Sequence, residues 1–290
     1  MIGKAKAVGA ISVVNALASG RGATLAVNLP TFARVSVNEK RGRWHVFVNG
    51  ARVKSPLAVQ TVHDTVKMFG EEPGKFSGVV ETKTSVPIGV GLKSSSSSSV
   101  AIALAVLAAF GEKSYNADQV LNISATSSLK AGVSLTGALD DAASCLIGGV
   151  NFTDNSAMQV LSSSRLGRSW PVLIRIPRGT SRRAKVARSK LRRFSKVADS
   201  IFSMGLEGRI WKAMTLNGLL YCSIYGYPPD DSMEALEANA LGSGLSGTGP
   251  AVGAVFDEKR DLERVAAKWK QGGARLVRTE TTDVGGTIGF

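Results

Sequence analysis

A glycine-rich turn that runs into six serines and a long apolar segment constrains this sequence more than any other feature. The turn reads Pro87-Ile-Gly-Val-Gly-Leu-Lys-Ser-Ser-Ser96, and the serines continue into VAIALAVLAAF at residues 100–110. An uncharged apolar stretch of this length is expected to form a buried helix. We expect serine hydroxyls to cap the first turn of that helix, although six serines are more than one cap requires.

The same turn has the chemistry of an anion-binding site. Small residues let backbone N–H groups approach a phosphate closely, and the N-terminus of the following helix adds about half a positive charge. Serine hydroxyls can donate hydrogen bonds to a phosphate or bind Mg²⁺. The candidate phosphate-binding residues are Pro87, Gly89, Gly91, Leu92, Lys93, Ser94, Ser95, Ser96 and Ser97.

The composition narrows the classes of partner. The chain has 290 residues, of which 44% are hydrophobic, and this is enough for a compact α/β protein of two lobes. Its 36 Lys and Arg against 22 Asp and Glu give a net charge of +14, which should attract nucleotides, phosphorylated or carboxylated metabolites, or nucleic acid. Aromatic residues make up only 6% of the chain, which disfavours a protein that stacks single-stranded nucleic acid.

The sequence favours a cytoplasmic protein without a membrane span. Cys145 and Cys222 both lie in apolar surroundings, where reduced core thiols are expected. Residues 1–20 imitate a signal peptide, but glycine and polar residues interrupt their apolar run. The longest apolar run, residues 100–110, is about half the length of a membrane-spanning helix.

Hydrophobic periodicity divides the chain into an α+β first part and a second part in which strands and helices follow one another. In the first part we predict strands at Thr24–Val27, Ala33–Val37, Arg43–Phe47 and Ser77–Thr82, a hairpin turn at Asn49-Gly50, and helices at Ser55–Phe69, Asp118–Ser127 and Asp140–Leu146, the last ended by Gly148-Gly149. In the second part we predict strands at 171–177, 251–256 and Ala274–Arg278, helices at Arg178–Lys196, Gly208–Tyr221, Met233–Leu241 and Asp261–Lys270, and a glycine-rich loop at 242–250. The polar segment Asn155–Ser169 is the predicted boundary between an N-terminal lobe, residues 1–160, and a C-terminal lobe, residues 161–290.

Three ordered motifs resemble those of the GHMP kinases, a family that includes galactokinase, homoserine kinase and mevalonate kinase. Pro-x-x-x-Gly-Leu-x-Ser-Ser followed by a small residue is the family's phosphate-loop signature, and it matches residues 87–96. The block from Gly3-Lys4 to Val14 resembles the first motif, and Leu245-Ser-Gly-Thr-Gly-Pro250 resembles the third. The first block departs from the family pattern, because Ala10-Ile11 stands where the family has Glu-His.

The resemblance implies an α/β fold of two lobes, with a left-handed βαβ unit in the first and an α/β sandwich in the second. ATP and a small-molecule acceptor would meet in the cleft between the lobes, where phosphoryl transfer depends on positioning and electrostatic stabilisation. Several relatives supply a Glu upstream of the catalytic Asp, yet no carboxylate lies between Asp118 and Asp140 here. The resemblance therefore implies an Mg²⁺ held by Ser95, phosphate oxygens and water, with a second Asp as a further ligand.

A kinase also needs a group that orients or deprotonates the acceptor hydroxyl, and the carboxylates near the family's position are Asp140 and Asp141 in TGALDDAASCLIGG. The spacing to Gly148-Gly149 favours Asp141, whereas the spacing from Gly137 favours Asp140, and we prefer Asp141. The alternative role for either is helix N-capping. Lys4 matches the lysine of the first motif, which implies that it lowers the acceptor's pKa or steadies the transferring phosphoryl group; the alternative is a solvated terminal lysine.

Two segments resemble more specifically the archaeal shikimate kinases: Gly-Ala-x₄-Asn-Ala followed by Gly-x-Gly-Ala at residues 9–23, and the paired Asp of TGALDDAASCLIGG. This resemblance implies transfer of the γ-phosphoryl group of ATP to the 3-hydroxyl of shikimate, with homoserine and mevalonate as the alternative acceptors on the same fold. Asn15 would hydrogen-bond the polyhydroxylated ring, and Arg21 or a basic residue near Arg178 would meet its carboxylate. The candidate substrate-binding residues are Asn15, Arg21, Gly244, Ser246, Gly247, Thr248 and Gly249.

The basic run from Arg178 to Lys196 is the feature that the resemblance explains least. We favour a solvated helix face, followed by nucleotide attraction and then nucleic-acid binding, so that a non-catalytic nucleic-acid-binding protein is the remote alternative. His45 and His63 lie far apart in the sequence and are interpreted as structural. We expect a small-molecule substrate and neither a nucleic-acid nor a membrane partner.

Overall fold

The computed structural model describes residues 1–178 and 186–289, and in this part of the chain helices cover two β-sheets. The larger sheet contains β1 (Ile2–Val14), β2 (Arg21–Asn38), β3 (Trp44–Val48), β4 (Ala51–Val53), β5 (Ser77–Thr84), β6 (Val150–Asp154), β7 (Gln159–Ser164) and β12 (Thr287–Ile288). The smaller sheet contains β8 (Pro171–Ile176), β9 (Ala240–Leu245), β10 (Val252–Phe256) and β11 (Arg275–Glu280). The helices are α1 (Pro56–Lys67), α2 (Ser94–Ala109), α3 (Ala117–Lys130), α4 (Leu139–Ile147), α5 (Arg188–Arg192), α6 (Ser195–Leu206), α7 (Ile210–Tyr225), α8 (Asp230–Glu237) and α9 (Lys259–Gln271), with a 3₁₀ turn at Pro73–Lys75.

The two N-terminal strands form a long antiparallel pair in the larger sheet, whose order is β12-β1-β2-β5-β3-β4. The predicted strands Thr24–Val27 and Ala33–Val37 are confirmed, but both belong to the single strand β2. The register between β1 and β2 shifts between Val8 and Gly9, opposite Pro30. Proline has no N–H to donate to the strand ladder, and the register shift at this point lets β2 continue past Pro30 as a single strand.

The βαβ unit lies in the other half of the larger sheet. The predicted turn at Asn49-Gly50 is confirmed: both residues have positive φ, 50° and 83°, and they join β3 to the antiparallel β4. Strand β3 then runs parallel to β5, and α1 lies in the connection between them. The side-chain oxygen of Ser55 accepts a hydrogen bond from Ala58 N and so caps the start of α1.

Helix α2 forms as the apolar run predicts, and it packs along β1 and β2. Gly3 lets the C-terminal end of this helix approach β1, because a Cβ at that position would lie closer than 3.0 Å to backbone atoms of Ala105 and Ala109. The expectation that serine hydroxyls cap the first turn is wrong. The residue before the helix is Lys93 in a left-handed conformation, and no side chain caps the helix there.

The smaller sheet has the order β11-β8-β10-β9, and its predicted strands at 171–177, 251–256 and Ala274–Arg278 are confirmed with small shifts at their ends. Part of the predicted glycine-rich loop is instead the strand β9, since Gly242–Leu245 pair with β10. Apolar side chains join the two sheets, with Ile11 of β1 and Ile174 of β8 in one core cluster. This packing holds the end of β1 beside the end of β9.

Two further sequence predictions are only partly comparable with the structure. The basic segment Arg178–Lys196 includes residues 179–185, which lie outside the described part; within the described part α5 and the start of α6 cover its end. The proposed boundary segment Asn155–Ser169 contains β7, and β12 returns the end of the chain to the larger sheet. The division at residues 160 and 161 therefore remains a prediction. No described helix is long and apolar enough to cross a membrane.

Candidate active site

A cleft with a volume of about 500 Å³ opens where the phosphate loop, the end of β1, the start of α4 and the turn after β9 meet. It brings together four of the predicted regions, since its lining includes Asn15, the phosphate loop, the pair Asp140 and Asp141, and Gly247. The predicted motifs are separated in the sequence by more than 200 residues, and the fold places them around one cavity.

Left-handed backbone conformations shape the phosphate loop, the segment from Gly89 to Ser96. Gly89, Gly91 and Lys93 have φ values of 80°, 93° and 63°. A side chain at position 91 would also have no space, because a Cβ there would lie closer than 3.0 Å to the carbonyl of Ser246. Ser94, Ser95 and Ser96 line the cleft at the uncapped N-terminus of α2. The loop therefore directs helix N–H groups and hydroxyls into the cavity, as phosphate binding requires.

The loop is locked to the turn after β9 by hydrogen bonds centred on Ser246. The Ser246 hydroxyl donates to Gly91 O at 2.8 Å and accepts from Ser12 N at 3.1 Å. The Ser12 hydroxyl in turn accepts from Gly247 N at 2.9 Å. Ser246 thus acts here as a link between motifs, and the residues of that turn that face the cleft are Gly247 and Thr248.

Asn15 lines the cleft, yet its amide is already engaged by the protein. Its Nδ2 donates to Gly247 O at 2.8 Å, and its Oδ1 accepts from Leu17 N at 3.0 Å. The backbone N–H of Asn15 is held by Asn217 Oδ1 at 2.9 Å. One N–H and one lone pair of the side-chain amide remain for a substrate. Asn15 can therefore form two hydrogen bonds with a substrate ring, half of the four that a free amide can form.

A buried ion pair joins the phosphate loop to α4. Lys93 Nζ lies 2.8 Å from Asp141 Oδ1, and the side chains are 7% and 19% exposed. Burial alone would lower the pKa of Lys93, but the charges of Asp141 and Asp140 more than offset it, so the pKa of the ammonium is raised. The sequence indicated a phosphate-binding role for Lys93, and no local pattern predicted this pair.

Asp140 and Asp141 occupy the first turn of α4, and they differ in their surroundings. The residue before the helix is Ala138, so neither Asp is its N-cap. Asp140 is 4% exposed, and its Oδ1 accepts from Asn155 Nδ2 at 2.9 Å. Burial, followed by the negative charge of Asp141, raises the pKa of Asp140 to about 7. Asp141 faces Lys93 and is the more exposed to the cleft.

The first motif does not bring its lysine to the cleft. Lys4 lies eight residues before Ser12 on the extended strand β1, which corresponds to about 26 Å at the usual rise of a strand. Its neighbour Gly3 packs on the C-terminal end of α2, the end opposite the phosphate loop. The structure therefore gives no support to the predicted catalytic role of Lys4, and the lysine that lies beside the carboxylates is Lys93.

The remaining predicted site residues do not line the cleft. Arg21 Nη2 pairs with Asp199 Oδ1 at 2.7 Å, and its guanidinium lies over the ring of Phe202. Gly244 lies in β9, where a Cβ would lie closer than 3.0 Å to Gly218 of α7, so its role is close packing. The lining of the cleft also excludes Gly249, Pro87 and Ser97, of which Ser97 is buried with its hydroxyl 3.0 Å from that of Thr31.

The oxygen atoms of the cleft have the chemistry that would suit an Mg²⁺ ion bound together with nucleotide phosphates. No group of three His, Cys, Asp or Glu side chains that could hold a metal by themselves occurs among the described residues. Mg²⁺ usually keeps several waters and binds one or two carboxylates together with phosphate oxygens. Asp141 and the hydroxyl of Ser95 both line the cleft beside the phosphate loop, and they provide ligands of that kind.

Comparison with known proteins supports both the fold and the motifs. The family profile described as GHMP kinases N terminal domain matches residues 57–149, and GHMP kinases C terminal matches residues 208–275. The chain is similar to the shikimate kinase of Methanothrix thermoacetophila, with 37% identity over 96% of this chain and 93% of the relative. It is also similar to the shikimate kinase of Methanococcoides burtonii, with 35% identity over 89% and 88%. Among solved structures it resembles homoserine kinase from Cytophaga hutchinsonii, with a TM-score of 0.74 at 19% identity and coverage of 99% and 97%, which confirms the predicted α/β fold class.

Proposed function

The chain belongs to the GHMP kinases and is an ATP-dependent small-molecule kinase, and on that premise we propose that it transfers the γ-phosphoryl group of MgATP to the 3-hydroxyl of shikimate. The acceptor rests on the similarity to shikimate kinases along almost the whole chain. The products are shikimate 3-phosphate and ADP. The expected compartment is the cytoplasm, where MgATP is supplied and where the buried free thiols of Cys145 and Cys222 remain reduced.

The observation that carries the proposal is the ion pair between Lys93 and Asp141 at the phosphate loop. One partner of the pair belongs to the proposed phosphate-binding loop, and the other lies in the first turn of α4, which lines the same cleft. A carboxylate and an ammonium at this point provide a proton acceptor and a positive charge beside the same reacting oxygen. Phosphoryl transfer needs both, because negative charge is spread over the oxygens of the transferring group.

The chemical step uses these two side chains directly. The 3-hydroxyl oxygen forms a bond to the γ-phosphorus while the bond from that phosphorus to the β,γ-bridging oxygen breaks, and ADP leaves with the electron pair. Asp141 accepts the hydroxyl proton, and Lys93 stabilises the charge that develops on the phosphoryl oxygens. Asp140, which is buried behind this pair and held by Asn155, positions the first turn of α4.

The loop from Gly89 to Ser96 holds the phosphates through backbone N–H groups and the hydroxyls of Ser94, Ser95 and Ser96. Ser95 would hold Mg²⁺ together with phosphate oxygens and water. When bound, the ion neutralises charge on the β- and γ-phosphates. Gly247 and Thr248 form the floor of the cleft, and the amide of Asn15 keeps one N–H for the acceptor.

The test is ADP release from MgATP with shikimate, homoserine and mevalonate supplied separately. Turnover with shikimate alone supports the proposed acceptor, whereas turnover with another acceptor keeps the kinase mechanism and replaces the substrate. Asp141→Asn should lower kcat by about 10²- to 10⁴-fold, the range expected when a general base is removed. Asp140→Asn is the matched variant on the neighbouring residue, and it should lower kcat less; equal losses in both would contradict the assignment of Asp141.

A further inference from the structure

A second cavity, of about 320 Å³, lies beside the cleft. None of the residues to which we assigned phosphate binding or proton transfer lines it. Its walls are the connection between β1 and β2 at residues 16–20, the loop before α4, the end of β6 and the last residue of α5. Four residues line both cavities: Ala16, Leu17, Leu135 and Thr136. The two cavities are therefore adjacent, and this volume is at the lower end of those that bind small ligands.

One wall of the second cavity leads to Asp140 and so to the first turn of α4. Asn155 lines the cavity, and its Nδ2 donates to Asp140 Oδ1 at 2.9 Å. Asp140 immediately precedes Asp141 in the first turn of α4. The residues of the phosphate loop line the cleft and do not line this cavity. A ligand that extends from the cavity past Leu135 and Thr136 enters the cleft, where Asp141 and the phosphate loop meet.

The lining of the cavity has the chemistry of a small hydroxylated carboxylate. Among the described residues that line the cavity, Arg192 is the one with a charged side chain, and Ser19, Thr136, Asn155 and Ser156 provide neutral hydroxyl and amide groups. A guanidinium binds a carboxylate with two parallel hydrogen bonds, and hydroxyl and amide groups both donate to and accept from ring hydroxyls. A nucleoside triphosphate, with several negative charges, would meet one cation among the described lining residues.

Arg192 is also better placed for this role than Arg21, which the sequence suggested. Arg21 is neutralised by Asp199 at 2.7 Å and lines neither cavity. In residues 1–178 and 186–289, no carboxylate forms an ion pair with Arg192. Its charge is thus available to a ligand, and it comes from the basic run whose purpose the family resemblance leaves open.

We propose that the second cavity binds the acceptor and that Arg192 pairs with the acceptor carboxylate. The proposal rests on the proposed function, since it takes shikimate as the acceptor. It goes further in assigning one residue of the basic run to substrate specificity. Arg192 does not touch the transferring phosphoryl group, so its loss should act on acceptor affinity and leave nucleotide affinity unchanged.

The experiment compares Arg192→Met with Arg193→Met in steady-state assays. Both variants remove one positive charge from neighbouring exposed residues, but Arg193 does not line either cavity. Arg192→Met should raise the KM for shikimate by about 10- to 100-fold, the effect of losing a hydrogen-bonded charge partner, with an unchanged KM for ATP. Arg193→Met should leave both constants at the wild-type values.

A neutral acceptor, the methyl ester of shikimate, distinguishes loss of carboxylate recognition from a general effect on folding, because misfolding would lower turnover of both acceptors. The wild type should prefer shikimate to its methyl ester, and Arg192→Met should lose most of that preference, while Arg192→Lys should keep part of it. Preserved preference in Arg192→Met, with wild-type turnover of shikimate intact, overturns the assignment of Arg192 and leaves the proposed function standing. Absence of wild-type turnover with shikimate overturns both.

Discussion

The ammonium of Lys93 lies 2.8 Å from the carboxylate of Asp141, although the two residues are 48 positions apart in the sequence. Lys93 owes its position to the left-handed backbone at the end of the phosphate loop, with φ of 63°. Asp141 owes its position to the first turn of α4, which begins after another left-handed residue, Ala138. Each side chain of this pair is therefore presented by an unusual backbone conformation at the start of a helix.

Removing the amine of Lys93 should lower kcat by about 10²- to 10³-fold, because the transferring phosphoryl group loses a preorganised positive charge. Lys93→Met and Lys93→Gly both test this in steady-state assays. Glycine adopts the left-handed conformation without strain, so the second variant keeps the shape of the loop and removes only the side chain. A wild-type kcat in Lys93→Gly would show that the backbone conformation alone matters at this position.

The stability of the protein should depend on pH through Asp140. Its pKa is raised from the usual 3.8 to about 7, so the folded protein binds more protons than the unfolded chain between these values. Stability contributed at this site is therefore lost as pH rises from about 4 to about 7. Asp140→Asn removes the titration, so its stability relative to the wild type should increase from pH 5 to pH 8.

Urea unfolding of both proteins at several pH values measures this difference in unfolding free energy. His63, whose pKa is lowered mainly by burial, acts in the opposite direction, because the unfolded chain then binds the extra proton. It is present in both proteins and cancels in the comparison. A difference that stays constant from pH 5 to pH 8 would contradict the raised pKa of Asp140.

Gly91→Ala should weaken ATP binding. A Cβ at Gly91 would lie closer than 3.0 Å to the carbonyl of Ser246, so the phosphate loop must move away from the turn after β9. Gly111→Ala is the control, since Gly111 has nearly the same φ, 94° against 93°, and has nothing within 4 Å of the position of its Cβ. Both variants carry about 1 kcal/mol of left-handed strain, but only Gly91→Ala should raise the KM for ATP.

Gly22→Ala should impair catalysis by displacing Asp140 and with it the first turn of α4. The added Cβ would lie closer than 3.0 Å to the carboxylate of Asp140 and to the side chain of Ala16. We expect a loss of about 1–3 kcal/mol in unfolding free energy, as for other overpacked cores, together with a lower kcat as α4 shifts. Gly74→Ala, whose Cβ would meet only the far end of Glu72 at 3.7 Å, should change neither quantity. Equal effects of the two substitutions in unfolding and kinetic assays would refute this explanation.

The phosphate loop and the carboxylate pair were predictable because their signals are local. A strand, a glycine-rich turn and a buried helix follow one another within residues 77–109, and backbone hydrogen bonding determines each from its own neighbours. The order of three motifs along the chain likewise indicated the family. The same local signals misplaced the helix cap, because a left-handed Lys93 cannot be distinguished by sequence from a lysine in an ordinary turn.

The sequence by itself determined many of the elements, though not β1, β6 or β7, together with the fold class and the residues that can bind phosphate or accept a proton. Only the tertiary structure decided which of them meet. In the tertiary structure Lys4 lies far from the cleft on β1, the amide of Asn15 is hydrogen-bonded to Gly247, and Lys93 forms an ion pair with Asp141. The physical reason is that strand register and the packing of helix on sheet act between residues far apart in the chain, and they select which polar groups share a cavity.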